Sequence, residues 1–184
     1  MGQLLFFDVE TTGFSKTADR VVQIAWILAD AEGRVLIERS FILKPEGFEI
    51  PSAVAKIHGI SQEIALANGV SRAPVFREYL QTVAKSTGIV AHNSDFDMGF
   101  VHSECDRLGL IPYIDSLPIE CTMRSSTAFC QLAHPNGRRG FKWPKLEELH
   151  YKLFKTSFSG AHNALVDVQI TMKCYFELKR LGVM

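Results

Sequence analysis

The sequence lacks most of the features that classify a chain quickly. It has no excess charge of either sign: 20 Lys and Arg stand against 20 Asp and Glu. There is thus no overall basic field of the kind that gathers a polyanion, and any charged ligand must be met by a local site. It has no paired cysteines. Cys105, Cys121, Cys130 and Cys174 are scattered without a C-x-x-C, which argues against a zinc ribbon and fits a reduced intracellular compartment. It has no long apolar run. The strongest, Val21 to Ala29, is interrupted by Gln23 and is too short to span a bilayer. No basic segment followed by an apolar core opens the chain. The expectation is a soluble, cytoplasmic protein with no membrane partner. Repeats, low-complexity tracts and linkers are also missing. The 184 residues, 47% of them hydrophobic, therefore read as one domain over 1–184 with a sizeable core.

What is present is a succession of short apolar segments. Residues 3–9, 20–30 and 34–45 read as strands, the last two joined by the turn Ala31-Glu32-Gly33, which makes an antiparallel three-strand start. Residues 51–60 and 61–69 read as short helices, with Pro51 suited to a first turn and Ser61 to a cap. A helix over 73–85, a buried strand over 88–91 and a helix over 94–108 follow. Residues 110–144 are the least regular, holding Pro112, Pro118, Pro135, Gly137 and Gly140 and one helix around 122–132. Leu146, Leu149 and Leu153 recur at helical spacing within 144–154, and a last helix covers 163–180. Strands first, then strand and helix in alternation, predict a layered α/β or α+β domain around one central mixed sheet.

Two acids interrupt the first apolar strand, in "FFDVETTGF". Side chains alternate along a strand, so Asp8 and Glu10 share one face and Val9 points to the other. Like charges this close raise each other's pKa unless a cation lies between them, and a hard divalent ion suits carboxylate oxygens. A strand end with two solvated acids is the plainer reading of these residues alone. Asp97, in "AHNSDFDMGF", falls in the first turn of a helix that follows a buried strand, where functional groups gather in α/β sheets. Stabilisation of the helix dipole explains Asp97 and Asp95 equally well. In "SGAHNALVDVQ", His162 and Asp167 are five residues apart, so they do not share a helical face. His162 is expected in the loop or first turn. Asp167 is expected one turn inside, flanking an apolar stripe together with Ala164, Thr171 and Cys174.

These three segments, in this order, resemble the DEDDh 3′→5′ exonuclease family, which includes the proofreading epsilon subunit of bacterial DNA polymerase III. The first motif is matched by Asp8, Glu10, Thr11, Thr12 and Gly13, the second by His92, Asn93, Phe96 and Asp97, the third by His162 and Asp167. "KIHGIS", residues 56–61, is similar to a family segment between the first two, and the likeness runs from residue 5 to about residue 176.

The resemblance implies a ribonuclease H-like α/β fold, a central mixed sheet with three antiparallel N-terminal strands, flanked by helices. It implies that Asp8, Glu10, Asp97 and Asp167 hold two divalent metal ions, Mg²⁺ or Mn²⁺, and that His162 takes a proton from the attacking water. The expected product is a nucleoside 5′-monophosphate released from a 3′ end. Substrate is expected at the backbone near Thr11 and Thr12 and at apolar walls from Phe14, Ile57 and Phe96, with His58 lining the pocket for the terminal nucleotide. His92 is expected to orient its motif by hydrogen bonds. His102 and His150 are expected at surface or helix-face positions. "NGRRGFKWPK", residues 136–145, interleaves Arg138, Arg139, Lys142 and Lys145 with Phe141 and Trp143. It reads either as a contact for a single strand or as a solvated loop whose Trp is tucked onto the core. Single-stranded DNA ranks first as substrate and RNA trimming second. Two settings are open, a stand-alone nuclease or a domain recruited by a DNA polymerase. A non-catalytic binding module would be signalled by loss of one of the five key residues, and all five are present.

Overall fold

The computed structural model describes residues 2–184, and every side chain within them except those of Tyr113 and Asp115. Five strands form one sheet: β1 (Leu4–Thr11), β2 (Val21–Ala29), β3 (Val35–Ile42), β4 (Gly88–Ala91) and β5 (Ile119–Cys121), in the order β3-β2-β1-β4-β5. The first three are antiparallel, as the apolar runs predict, and β4 and β5 run parallel to β1. Parallel neighbours need crossovers. Helices α1 (Ser52–His58), α2 (Gln62–Asn68) and α3 (Arg72–Val83) carry the chain from β3 to β4, and α4 (Ser94–Arg107) carries it on toward β5. Then come α5 (Thr122–Ser125), α6 (Thr127–Cys130), α7 (Leu146–Phe154) and α8 (Ala164–Arg180). This is the mixed sheet with flanking helices that the ribonuclease H-like expectation describes.

Alternation along the central strands sorts the core. Leu5, Phe7 and Val9 join Trp26 of β2, Phe76 and Tyr79 of α3, and Phe100 and Val101 of α4, on one face. Phe6, Ala25, Ile27 and Val90 meet Val168 and Tyr175 of α8 on the other. The same alternation turns Asp8 and Glu10 to the α8 face.

One local expectation needs correction, and two local features were not foreseen. β5 has only three residues, too few for a pattern to show. The helix expected over 122–132 is broken into α5 and α6. The Ser126 hydroxyl donates to the Thr122 carbonyl at 2.6 Å, and Gln131 ends α6 in the left-handed region at φ 54. His150 takes the helix-face alternative, on α7, and is buried there: its Nδ1 donates to the Thr156 carbonyl at 2.9 Å and its ring packs against Phe154 and Phe158. The four cysteines are buried and unpaired, and no described helix is long and apolar enough to cross a membrane.

Candidate active site

β1 outruns its parallel neighbour. The β1–β4 ladder ends at Phe6↔Val90, so the backbone beyond it needs other partners. Asp97, in the first turn of α4, supplies one: its Oδ1 accepts the Val9 N–H at 3.3 Å. The turn that aims α4 at this point passes through Asn93, in the left-handed region at φ 74. From the other side, α8 starts at an Asn163 cap whose Oδ1 accepts the N–H groups of Leu165 and Val166. Asp167 sits in that first turn, and its Oδ2 accepts the His162 N–H at 2.9 Å. His162 is thereby held at φ 64, a conformation non-glycine residues seldom adopt and one that clusters at functional sites. Its side chain is exposed, and one donor atom each from Glu10, His162 and Asp167 lie within 4.8 Å of one another.

Asp8, Glu10, Asp97, Asp167 and His162 all line a single cleft of about 580 Å³. Asp97 and Asp167 are buried, Asp8 and Glu10 partly so. Burial, and then the charges of Asp97, Glu10 and Asp167, hold Asp8 well above the usual carboxylate range. Burial and Asp167 push Glu10 up to about 8. Burial raises Asp97 despite the Val9 N–H, and brings Asp167 to about 6 against the stabilising His162 N–H. Four oxygen-donor side chains that repel one another in one cleft fit a divalent cation by the chemistry of the donor set.

Of the expected binding residues, Thr11, Phe14, Ile57, His58 and Phe96 line the cleft. Thr12 does not. It is buried, its N–H donates to the Arg20 carbonyl, and its hydroxyl is bonded to Asp19. Phe14 projects at 85% exposure, edge-on to Phe96 at 6.3 Å between ring centroids, and Ile57 is more than half exposed. His58 is buried. Its Nδ1 accepts the Ile60 N–H at 3.1 Å, which leaves the proton of a neutral ring on Nε2, buried and directed at the Thr11 backbone. His92 spans two segments, with Nε2 donating to the Pro144 carbonyl at 3.0 Å and Nδ1 bonded to the Thr122 hydroxyl at 2.9 Å. Burial lowers its pKa to about 4, so the ring is neutral. Of the basic segment, Trp143 and Lys145 reach the cleft, and Trp143 is 63% exposed rather than tucked onto the core. Sequence reasoning missed Val54, Met123, Glu147 and Phe158 in the lining. Glu147 carried a signal, being an acid in the first turn of α7. The others carried none.

A family model described as an exonuclease (RNase_T) matches residues 5–175. The chain is 26% identical over 180 residues to the PolC-type DNA polymerase III of Caldanaerobacter subterraneus, an alignment covering 96% of this chain and 12% of that protein. It is 26% identical over 170 residues to the DNA polymerase III subunit epsilon of Treponema pallidum, covering 92% of this chain and 73% of that one. Among solved structures it matches E. coli exonuclease I in complex with a dA16 oligonucleotide, with a TM-score of 0.81 and 23% identity, over 98% of this chain and 41% of that one. The chain thus spans a small part of PolC and less than half of exonuclease I, and at this identity the structural likeness shows the fold alone. Since the family model covers nearly the whole sequence, the chain belongs to the RNase_T exonuclease family, the DEDD-type 3′→5′ exonucleases.

Proposed function

We propose that this protein hydrolyses the last phosphodiester bond at the 3′ end of single-stranded DNA and releases nucleoside 5′-monophosphates. Two divalent cations, Mg²⁺ or Mn²⁺, are assigned to Asp8, Glu10, Asp97 and Asp167. The observation that carries this reading is the convergence of four mutually repelling carboxylates, with His162 beside two of them, in one open cleft. Held by these four carboxylates, such cations would supply stabilisation of the charge that develops on the attacking and leaving oxygens of an in-line displacement. The protein's own part is positioning and proton transfer. The His162 imidazole accepts a proton from the attacking water, and the bond from its backbone N–H to Asp167 fixes the residue at the mouth of the cleft. Phe14, Ile57 and Phe96 offer apolar walls to an unpaired terminal base. The His58 ring lies on the cleft wall beside the Thr11 backbone, where it can meet the terminal nucleotide. The DNA preference is supported by the DNA polymerase III relatives, and a DNA polymerase is the protein partner they suggest.

The test is a degradation assay on 3′-labelled and 5′-labelled single strands of matched DNA and RNA sequence, with Mg²⁺, Mn²⁺ or EDTA. Metal-dependent release of mononucleotides from the 3′ end, faster on DNA, is the expected result. Faster release from RNA would replace the substrate while keeping the chemistry. No cleavage of either polymer would overturn the reading.

A further inference from the structure

The basic segment before α7 has no part in the acid cluster, yet it brings one aromatic ring to the rim of the cleft. Trp143 and Trp26 are the two tryptophans of the chain. Trp26 is fully buried in the core, whereas Trp143 is 63% exposed at the rim of the cleft. Exposure of a single ring is ordinary, but this one stands at the rim of the cleft that holds the acids. Nor is its backbone loose. Next to it, the Lys142 N–H donates to the Leu132 carbonyl at 2.8 Å, and the Lys142 ammonium is bound to Glu148. On the other side the Pro144 carbonyl is held by His92, and the Lys145 N–H donates to Glu148 at 2.8 Å. Each flanking residue is pinned, and only the ring is presented. Lys142 is neutralised by Glu148, but Lys145 is exposed and also lines the cleft. On the β1–β2 loop the rim carries a second exposed ring, Phe14.

We infer that Trp143 is a preorganised stacking platform for an unpaired base of the substrate strand, upstream of its 3′-terminal nucleotide, with Lys145 beside the backbone phosphates. A fixed aromatic face accepts any base and rejects none by hydrogen bonding, so the platform gives affinity for single strands without sequence preference. The inference rests on the nucleic-acid substrate proposed above and adds to it a residue outside the three motifs.

The presence of one exposed and one buried tryptophan makes the test direct. The native protein, with Mg²⁺, is titrated with a 5′-dye-labelled single-stranded DNA whose 3′-terminal linkages are phosphorothioates that resist hydrolysis. Dye anisotropy reads binding and tryptophan emission reads stacking. Saturation is expected to quench the exposed tryptophan. Trp143→Phe should abolish that quenching yet retain most of the affinity, and Trp143→Ala should weaken binding by about fivefold or more. An abasic strand of equal length should bind without quenching. Circular dichroism checks that the variants keep the fold. Binding with unchanged tryptophan emission, or a Trp143→Ala variant within twofold of the native affinity, would overturn the platform and leave the substrate reading standing. No binding of any strand by the native protein would overturn both.

Discussion

Asp8 is the residue at which the demands of folding and of the site conflict most. It lies on a central strand, partly buried, facing three other carboxylates, and burial and those charges keep its pKa well above the usual range. Nothing in the packing requires a charge there. An Asp8→Asn substitution keeps the shape and removes one of the four charges. Hydrolysis is expected to fall to background, because a neutral amide is a poor ligand for a hard cation. The metal-free variant is nevertheless expected to melt higher than the native protein at pH 8, by about 2–4 °C for each kcal/mol of repulsion relieved. Calorimetry in EDTA together with a nuclease assay in Mg²⁺ checks both halves. A variant that loses activity and also stability would show that Asp8 is a packing residue. Thr11 and Thr12 show where residue-level reading stops. The motif makes them equivalent, but Thr11 lines the cleft while Thr12 faces Arg20 and Asp19, a choice made by the loop between β1 and β2.

At the scale of elements, that loop is clipped to α4 by a buried ionic cluster. Glu104 is fully buried and binds Arg20 through two bonds of 2.8 and 3.0 Å, the Val21 N–H at 3.1 Å, and Arg72 and Arg107 at 3.3 and 3.4 Å. Arg107 also donates to the Thr17 carbonyl, and Lys16 to that of Asp95. Asp19 completes the loop by accepting from Thr12 and Ser15, and it stands so close to Gly13 that a Cβ there would come within 2.5 Å of it. Burial alone would raise the Glu104 carboxyl, but Arg20, Arg72 and the Val21 N–H hold it below its ordinary value. Its stabilising effect is therefore present above the ordinary value of 4.5 and is lost as pH falls through the lower folded value. Glu104→Gln is expected to cost about 3–5 kcal/mol near neutral pH, since three arginines lose their shared partner, and less in acid. Urea unfolding at pH 7 and pH 4 measures the difference; equal costs at the two would refute the argument. Elements with many apolar positions were legible in the sequence: β1 to β4, α4 and α8 lie within a few residues of expectation. Local rules placed Asp8 and Glu10 on one strand face and Asp97 and Asp167 in or near helix first turns, but their convergence with His162 was legible only through the family resemblance. The break at Ser126, the three-residue β5 and the burial of His150 were not legible. Each depends on a partner distant in sequence or on a carbonyl that the hydroxyl happens to reach. His150 shares a helix flank with Leu146 and Leu153, and spacing alone did not show that the 155–162 loop would cover it.

The whole molecule carries no formal net charge, so its stability near neutrality is not governed by overall repulsion. The cleft acids govern it instead. A carboxyl whose folded pKa is raised binds its proton more tightly in the native state than in the unfolded chain. The native state is therefore favoured below the ordinary value and loses that advantage as pH rises toward the folded value. For Glu10 the window runs from 4.5 to about 8, for Asp167 from 3.8 to about 6, and Asp8 and Asp97 shift in the same direction. The metal-free protein is thus expected to lose stability steadily from about pH 5 to pH 8. A divalent cation acts in the opposite sense. It binds the deprotonated acids of the folded chain and adds stability in proportion to the logarithm of its concentration over its Kd, which tightens across the same pH range. Melting temperatures in EDTA should fall across the window, those in saturating Mg²⁺ should stay nearly level, and the gap between the two series should widen with pH. Glu10→Gln should flatten the EDTA series and shrink the gap together. If Mg²⁺ raised both ends of the pH range equally, the ion would be binding somewhere other than the acids of this cleft.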